Sequence, residues 1–331
     1  MEKLAISRRA FLSGSAAMVP ALATSSVVHA QNYPSKPIVF TLGFPPGGGL
    51  DAFARLLAPY MSEKLGAPIA VVNRPGANGN LGTDAVGRAA PDGYTLLFST
   101  SSAVVAAPNA FPNLPTNPIT DLAHISMAAE SDFAIITNPA FPAKTYEEFL
   151  ALAKREPGKV IHATPGVGSA NHIAGELLSI RAGISLKTIH YKGSAALLPD
   201  LLADRVNITI ASVGLAETYL RDKRVGGLMV MSKQRAPQFS SVPSSVELGV
   251  KDLDQITFWM GLHAPKATPE PIIQKLRDTL TEVYKNPALL ERMAASGLKP
   301  IGDTPQAFAA RIESDYRLYG EIFKASNIKI E

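Results

Sequence analysis

The 331-residue chain contains no cysteine. Disulfides, thiol catalysis and thiolate-bound metals are therefore excluded, and the composition suits an oxidising compartment. Histidine is scarce: six residues, at 29, 124, 162, 172, 190 and 263. None lies in a spacing such as His-Glu-x-x-His that would bring two ligands to one metal. No metal and no cofactor is expected. A dominant charge is missing too. Thirty-two Lys and Arg stand against 28 Asp and Glu, for a net charge of +4, which argues against nucleic acid as a partner. Beyond the N-terminal region no apolar run approaches the ~20 residues needed to cross a bilayer, so the mature chain is expected to be soluble. There is no internal repeat and no low-complexity tract.

The first thirty residues read as an export signal. Ser7-Arg8-Arg9-Ala10-Phe11-Leu12 is a twin-arginine pattern, Ala16 to Val28 is apolar and rich in small residues, and Val28-His29-Ala30 fits a cleavage site. The apolar stretch is too short and too rich in Ser, Ala and Thr to span comfortably as an anchor. Cleavage after Ala30 removes Lys3, Arg8, Arg9 and Glu2, three cations and one anion, and takes the net charge from +4 to +2. A periplasmic location follows, with the twin-arginine and general secretory routes both open.

What the mature chain does have is a glycine-rich turn near its start. Ile38-Val39-Phe40 reads as a buried strand, Thr41 to Asp51 holds two prolines and four glycines, and Ala52 to Met61 shows helical spacing. A helix N-terminus presents unpaired N–H groups and a partial positive charge, and glycines let a ligand approach that backbone. Such a turn suits a small anion. The loop lacks the Gly-Lys-Ser/Thr ending of a P-loop and the Gly-x-Gly-x-x-Gly of a dinucleotide fold. The same order of strand, Pro/Gly loop and helix recurs at Val160–Thr164, Pro165–His172 and Ile173–Ala182.

Elsewhere short apolar runs alternate with helical patterns. Strands are expected at 69–73, 94–98, 125–129, 133–137, 188–191, 208–211, 228–231 and 255–264. Helices are expected at 81–89, 145–154, 195–203, 269–284, 288–296 and 305–325, with a loop over 106–124. Thr145 and Glu148 form a capping box, and Thr268 is placed as an N-cap before Pro269. The pattern is α/β, with mainly parallel sheets flanked by helices. It divides into residues 31–131 plus 255–331 as one lobe and 132–254 as the other.

Individual residues carry competing readings. Asp51 is a first-turn carboxylate, a cap or brace for the glycine loop rather than an anion contact, and Arg55 sits at i+4 to pair with it. His172 reads as a loop brace. Ser169 either caps its helix or presents its hydroxyl to a ligand, and the two are compatible. Thr164, closing its strand, is open to the same pair of readings. Gly166-Val167-Gly168-Ser169-Ala170 lacks the last glycine of a nucleophile elbow. A hydrolase built on Ser169 and His172 would also need an orienting acid and an oxyanion hole. Trp259 reads as a core residue of a strand returning to the first lobe.

Five segments together resemble the Bug-type extracytoplasmic solute receptors of tripartite tricarboxylate transporters. They are Tyr33–Ile38 running into Phe44–Arg55; Val72–Gly79; Ala90–Leu97; Gly166–Glu176; and Tyr191-Lys192-Gly193. The resemblance implies a two-lobed periplasmic binding protein of type II, closing like a Venus flytrap on a small organic anion. It implies a carboxylate held between the two turns by Phe44, Pro45, Pro46, Gly47 and Gly48 on one side and Thr164, Gly168, Ser169 and Ala170 on the other. Ser101 and Ser212, at strand ends, complete the implied set. No catalytic residue and no metal ligand is implied; the partners are the carboxylate and membrane transporter subunits, and the chain is expected to act as a monomer. A sensory receptor of the same fold is an open alternative. Ser194–Leu198, Asn207 and Gly261–His263 depart from the family pattern and are expected to flank the cleft.

Overall fold

The computed structural model describes residues 33–111, 113–326 and 328. The proposed export signal, its twin-arginine pair and the cleavage site after Ala30 lie outside the described residues. From Pro34 onward the chain packs as one compact unit. Its elements run β1 (Ile38–Leu42), α1 (Gly49–Leu65), β2 (Ile69–Asn73), α2 (Asn80–Gly87), β3 (Thr95–Thr100), α3 (Ala107–Ala110), β4 (Leu122–Ser131) and β5 (Phe133–Thr137). They continue as α4 (Tyr146–Arg155), β6 (Ile161–Thr164), α5 (Ala170–Ala182), β7 (Lys187–His190), α6 (Ser194–Leu202), β8 (Ile208–Ser212), α7 (Val213–Arg221) and β9 (Gly226–Met231). The chain closes with β10 (Phe258–Pro265), α8 (Glu270–Val283), α9 (Pro287–Ala295), β11 (Lys299–Pro300) and α10 (Pro305–Ala325).

The strands form a six-stranded sheet, β11-β4-β10-β3-β1-β2, and a five-stranded sheet, β7-β6-β8-β5-β9. The sheets are mixed rather than mainly parallel. β1 pairs in parallel with β2 and β3, and β6 with β7 and β8, but β10 is antiparallel to both β3 and β4, and β5 to both β8 and β9. The reason is connectivity. β4 leaves the first sheet at Ser131 and becomes β5 of the second at Phe133, with only Asp132 between. β5 therefore enters its sheet from the edge toward which β6 and β8 run. β10 re-enters the first sheet from the same gap. Each entering strand is inserted between two neighbours, so one reversal makes two antiparallel pairs. The carboxyl ends of β1 and β3 and those of β6 and β8 consequently face one gap, the usual place for a ligand in such sheets.

Most expected elements are present within a few residues. Thr145 caps α4 by accepting from the Glu148 N–H at 3.3 Å, while Glu148 accepts from Lys144 N–H, one residue before the position a capping box uses. Thr268 is not the cap of α8. Pro269 takes that position with extended ψ, and the Thr268 hydroxyl is buried without a partner. The expected loop over 106–124 begins instead as helix: a π-helical turn over Ser102–Ala106 runs into α3. Its Ser-Ala-Val-Val-Ala sequence carries no polar face, because every residue of it is buried, and periodicity cannot mark a helix buried all round.

One apolar core links the sheets. Phe133, Ile135, Ile173 and Leu177 of the second join Val104, Val105, Trp259, Phe308 and Tyr319. α10 lies against this junction. Trp259, fully buried, donates Nε1–H to Asp315 at 2.7 Å, and Arg311 Nε donates to the same carboxylate at 2.8 Å. Arg311 also donates to Thr257 Oγ1 at 2.9 Å and approaches Glu130 at 3.5 Å. Burial raises the Asp315 carboxyl above its ordinary pKa, against the pull of Arg311 and Trp259. Removing that acceptor strands an indole N–H in the core. Asp315→Ala is expected to cost about 3 kcal/mol, read as a lowered urea midpoint with an unchanged slope.

Candidate functional site

The first turn is held from beneath. β1 ends at Leu42, Pro45 to Gly49 are exposed, and α1 begins at Gly49 with Gly48 as its N-cap and no side-chain cap. Gly47 has φ +85°, a left-handed backbone that favours glycine. Asp51, 5 % exposed, turns back under the loop. It accepts from Gly47 N–H at 3.0 Å, from Arg55 Nε at 3.0 and 3.1 Å, and from Asn73 Nδ2 at 3.0 Å. Asn73 Nδ2 also donates to the Phe44 carbonyl at 3.0 Å, and Arg55 Nη2 to Asn73 Oδ1 at 3.1 Å. The Asp51–Arg55 pair expected at i+4 is therefore part of a larger brace. Burial raises the Asp51 pKa, but the bonds from Arg55, Gly47 and Asn73 outweigh it and hold the carboxyl below the ordinary range. With its charge matched by Arg55, Asp51 leaves the uncapped N–H end of α1 open to an anion.

The second turn is saturated by its own groups. Ser169 is the N-cap of α5 and accepts from His172 N–H at 3.2 Å. The His172 ring accepts from Gly168 N–H at Nδ1 (3.1 Å), and its Nε2 lies 3.5 Å from Glu176. Both ring nitrogens are thus engaged away from the Ser169 hydroxyl, and no nucleophile–base pair forms. Thr164, fully buried, bonds His190 Nδ1 at 2.7 Å and the Gly166 carbonyl at 3.4 Å. The His172 and His190 rings meet edge to face, 4.6 Å apart. Burial first, and the neighbouring His172 second, lower the His190 pKa. Behind them His162 is fully enclosed, with no hydrogen-bond partner at either ring nitrogen, and burial holds its pKa down at about 3. α5 crosses it at Gly175, where a Cβ would come within 2.2 Å of the imidazole.

The second turn is tied to the first sheet by a residue that sequence reasoning passed over. Ser102 Oγ accepts the Ala170 N–H at 3.0 Å and so caps α5 from the segment that follows β3 of the other sheet. Ser101, the serine singled out, points elsewhere: it is fully buried and reaches the Thr257 carbonyl at 3.5 Å. Adjacent serines in one polar string are indistinguishable until the chain is folded. Ser212 is half-buried at the end of β8 and precedes α7 without a side-chain cap. Asn171 Nδ2 donates to Ile210 O at 2.8 Å, tying α5 to that strand. Two departures from the family pattern prove not to flank the gap. Asn207 precedes β8 at the end away from it and accepts from Ile161 N–H at 2.8 Å. His263 lies inside the first sheet, bonded to Ser99 at 2.7 Å and to His124 at 2.8 Å. Among the described residues no group of acidic or histidine side chains is placed to hold a metal.

Residues 53–328 match the model of the family described as the tripartite tricarboxylate transporter family receptor, TctC. The chain belongs to this receptor family. Among its relatives is the protein BugT of Bordetella pertussis, 33 % identical over 305 residues that cover 92 % of this chain and 93 % of BugT. Among solved structures it is similar to the periplasmic binding protein BugD, with TM-score 0.81 and 30 % identity over 90 % of this receptor and 100 % of BugD. It is also similar to R. palustris Rpa4515 with adipate, with TM-score 0.84 and 25 % identity over 90 % of this receptor and 99 % of that chain. The expected two-lobed, α/β periplasmic binding protein fold is thus the fold of this receptor.

The brace beneath the first turn has a pH signature. A carboxyl held below its unfolded pKa stabilises the fold above that value and loses the contribution as pH falls through the folded one. Asp51→Asn should lower stability by about 2 kcal/mol near neutrality. The difference from the unaltered protein should close below the ordinary carboxyl value of 3.8, as measured by urea unfolding across pH.

Proposed function

We propose that this receptor captures a small organic carboxylate in the gap between its lobes and delivers it to membrane subunits of a tripartite tricarboxylate-type transporter. The observation that carries the reading is the first turn. Its exposed Pro45–Gly49 loop and uncapped α1 N-terminus are braced by a neutralised carboxylate. Backbone amides and helix ends hold an anion without a cationic side chain. The adipate bound by Rpa4515 supports a carboxylate as the ligand class. In this reading the lobes comprise residues 31–131 plus 255–331 and 132–254, as the membership of the two sheets suggests. Phe44–Gly48, Gly168, Ser169, Ala170 and Ser212 face the ligand, Thr164 is withdrawn behind them onto His190, and Ser101 is replaced in that role by Ser102. Asp51 and His172 brace their loops. Export with cleavage after Ala30 delivers a monomeric, non-catalytic receptor to the periplasm.

Binding acts on stability by mass action, so a carboxylate present at ~100 times its Kd adds about 2.7 kcal/mol. A thermal-shift screen of mono- and dicarboxylates, aromatic acids and amino-acid derivatives should therefore raise the midpoint for at least one class. No response to any of them defeats the reading. Ser169→Ala removes a cap from α5, and is expected to destabilise the protein by about 1 kcal/mol. By calorimetry it should weaken the ligand by about 1–3 kcal/mol, the size of a lost hydrogen bond to a charged group.

A further inference from the structure

A second cleft lies on the far side of the crossing. In the first sheet β11 occupies the flank of β4 away from β10, β3 and β1, and in the second β9 occupies the flank of β5 away from β8 and β6. Between those flanks is a cavity of about 930 Å³. Gly297, Lys299 and Pro300, in and just before β11, line it on one side, and Lys233, Ala236 and Gln238, which follow β9, on the other. Among the described residues, none of either glycine turn lines it. β4 and β5 thus run between this cleft and the ligand gap.

The far cleft is bridged. α7 carries the chain from β8 to β9, and its first turn meets the turn between α9 and β11. A Cβ on Gly214 would lie 1.9 Å from the Ser296 carbonyl oxygen, and a Cβ on Gly297 would lie 2.6 Å from the Gly214 nitrogen. The two backbones therefore touch, and only glycine leaves room for the contact. Beside it Gln238 Nε2, on the helical turn Pro237–Phe239, donates to the Ala294 carbonyl at 2.9 Å. Contacts that span a cleft on one side of a hinge part when the cleft on the other side closes. We propose that the Gly214–Gly297 contact and the Gln238–Ala294 bond form a brace behind the hinge that holds the ligand gap open. Closure on a ligand then breaks the brace. Such a device sets the share of closed receptor before any ligand arrives, and apparent affinity follows that share. It takes from the reading above only that the two lobes hinge, and owes nothing to the chemistry of the ligand.

The test needs no ligand. The chain has no cysteine, so Arg74→Cys and Lys192→Cys in the full chain carry the only two spin labels. Both positions are exposed and lie just beyond β2 and β7, the sheet edges farthest from the crossing on the gap side. Pulsed electron double resonance between them reads the width of the gap. Gly214→Ala puts a methyl group where the Ser296 oxygen stands, and Gln238→Ala deletes the hydrogen bond alone. Each should raise the ratio of short to long distances about five-fold, the size of one net hydrogen bond. The brace stands if at least one variant shifts to shorter distances and neither to longer. A shift to longer distances in either variant places the contacts in the closed form and overturns it. Unchanged distributions in both overturn it too. Should Gly214→Ala fail to fold by circular dichroism, Gln238→Ala decides alone. Because no acid is added, none of these outcomes bears on the carboxylate reading, which the thermal-shift screen decides separately.

Discussion

One covalent constraint shapes the molecule: β4 passes into β5 with a single residue between them, and β10 makes the return. Two sheets joined this closely must present facing edges to each other. The strands that enter from the gap must also run against their neighbours. The parallel strands on each side then end at the gap, and the helices that follow begin there. Side chains reinforce the crossing on the α10 side. Trp259, Thr257 and Glu130 of the crossing strands are gathered by Asp315 and Arg311 of α10. Lys299 of β11 meets Asp132, the linking residue itself, at 2.7 Å.

The two turns at the gap are alike in sequence and unlike in physics. In the first, the hydrogen-bonding capacity of the side chains is spent below the loop, on Asp51, Asn73 and Arg55, which leaves the exposed backbone for a ligand. In the second, hydroxyls and imidazoles are spent on the loop itself, through Ser169, His172, Thr164 and His190. Ser102 adds a bond from the opposite side. A receptor must hold its ligand and also release it. One open and one self-satisfied surface suits that need, because the second loses little when the ligand leaves. Under the proposed carboxylate reading, the same division leaves no need for a lysine or arginine at the centre. Helix ends supply the field, and the one carboxylate nearby is neutralised by its own arginine.

Much of this was legible along the chain. Apolar runs bounded by Pro and Gly mark β1, β2 and β6, and Thr145 before a helical pattern marks a start, because these signals act within a few residues. The Pro-Pro-Gly-Gly-Gly turn and its partner at 165–172 were visible for the same reason, as was the Asp51–Arg55 pairing one helical turn apart. Strand direction, the helix over 102–110, the choice of Ser102 over Ser101 and the withdrawal of Thr164 onto His190 were not legible. Each depends on what lies across the fold: β10 arriving from the other sheet, α10 covering Val104 and Val105, α5 presenting its Ala170 N–H. By itself the sequence determined the elements and the two glycine turns, since local propensity and spacing are properties of neighbouring residues. Which hydroxyls and amides those turns spend on themselves, and which they leave for a ligand, only the tertiary structure decided, because hydrogen-bond partners far apart in sequence meet only once the sheets face each other.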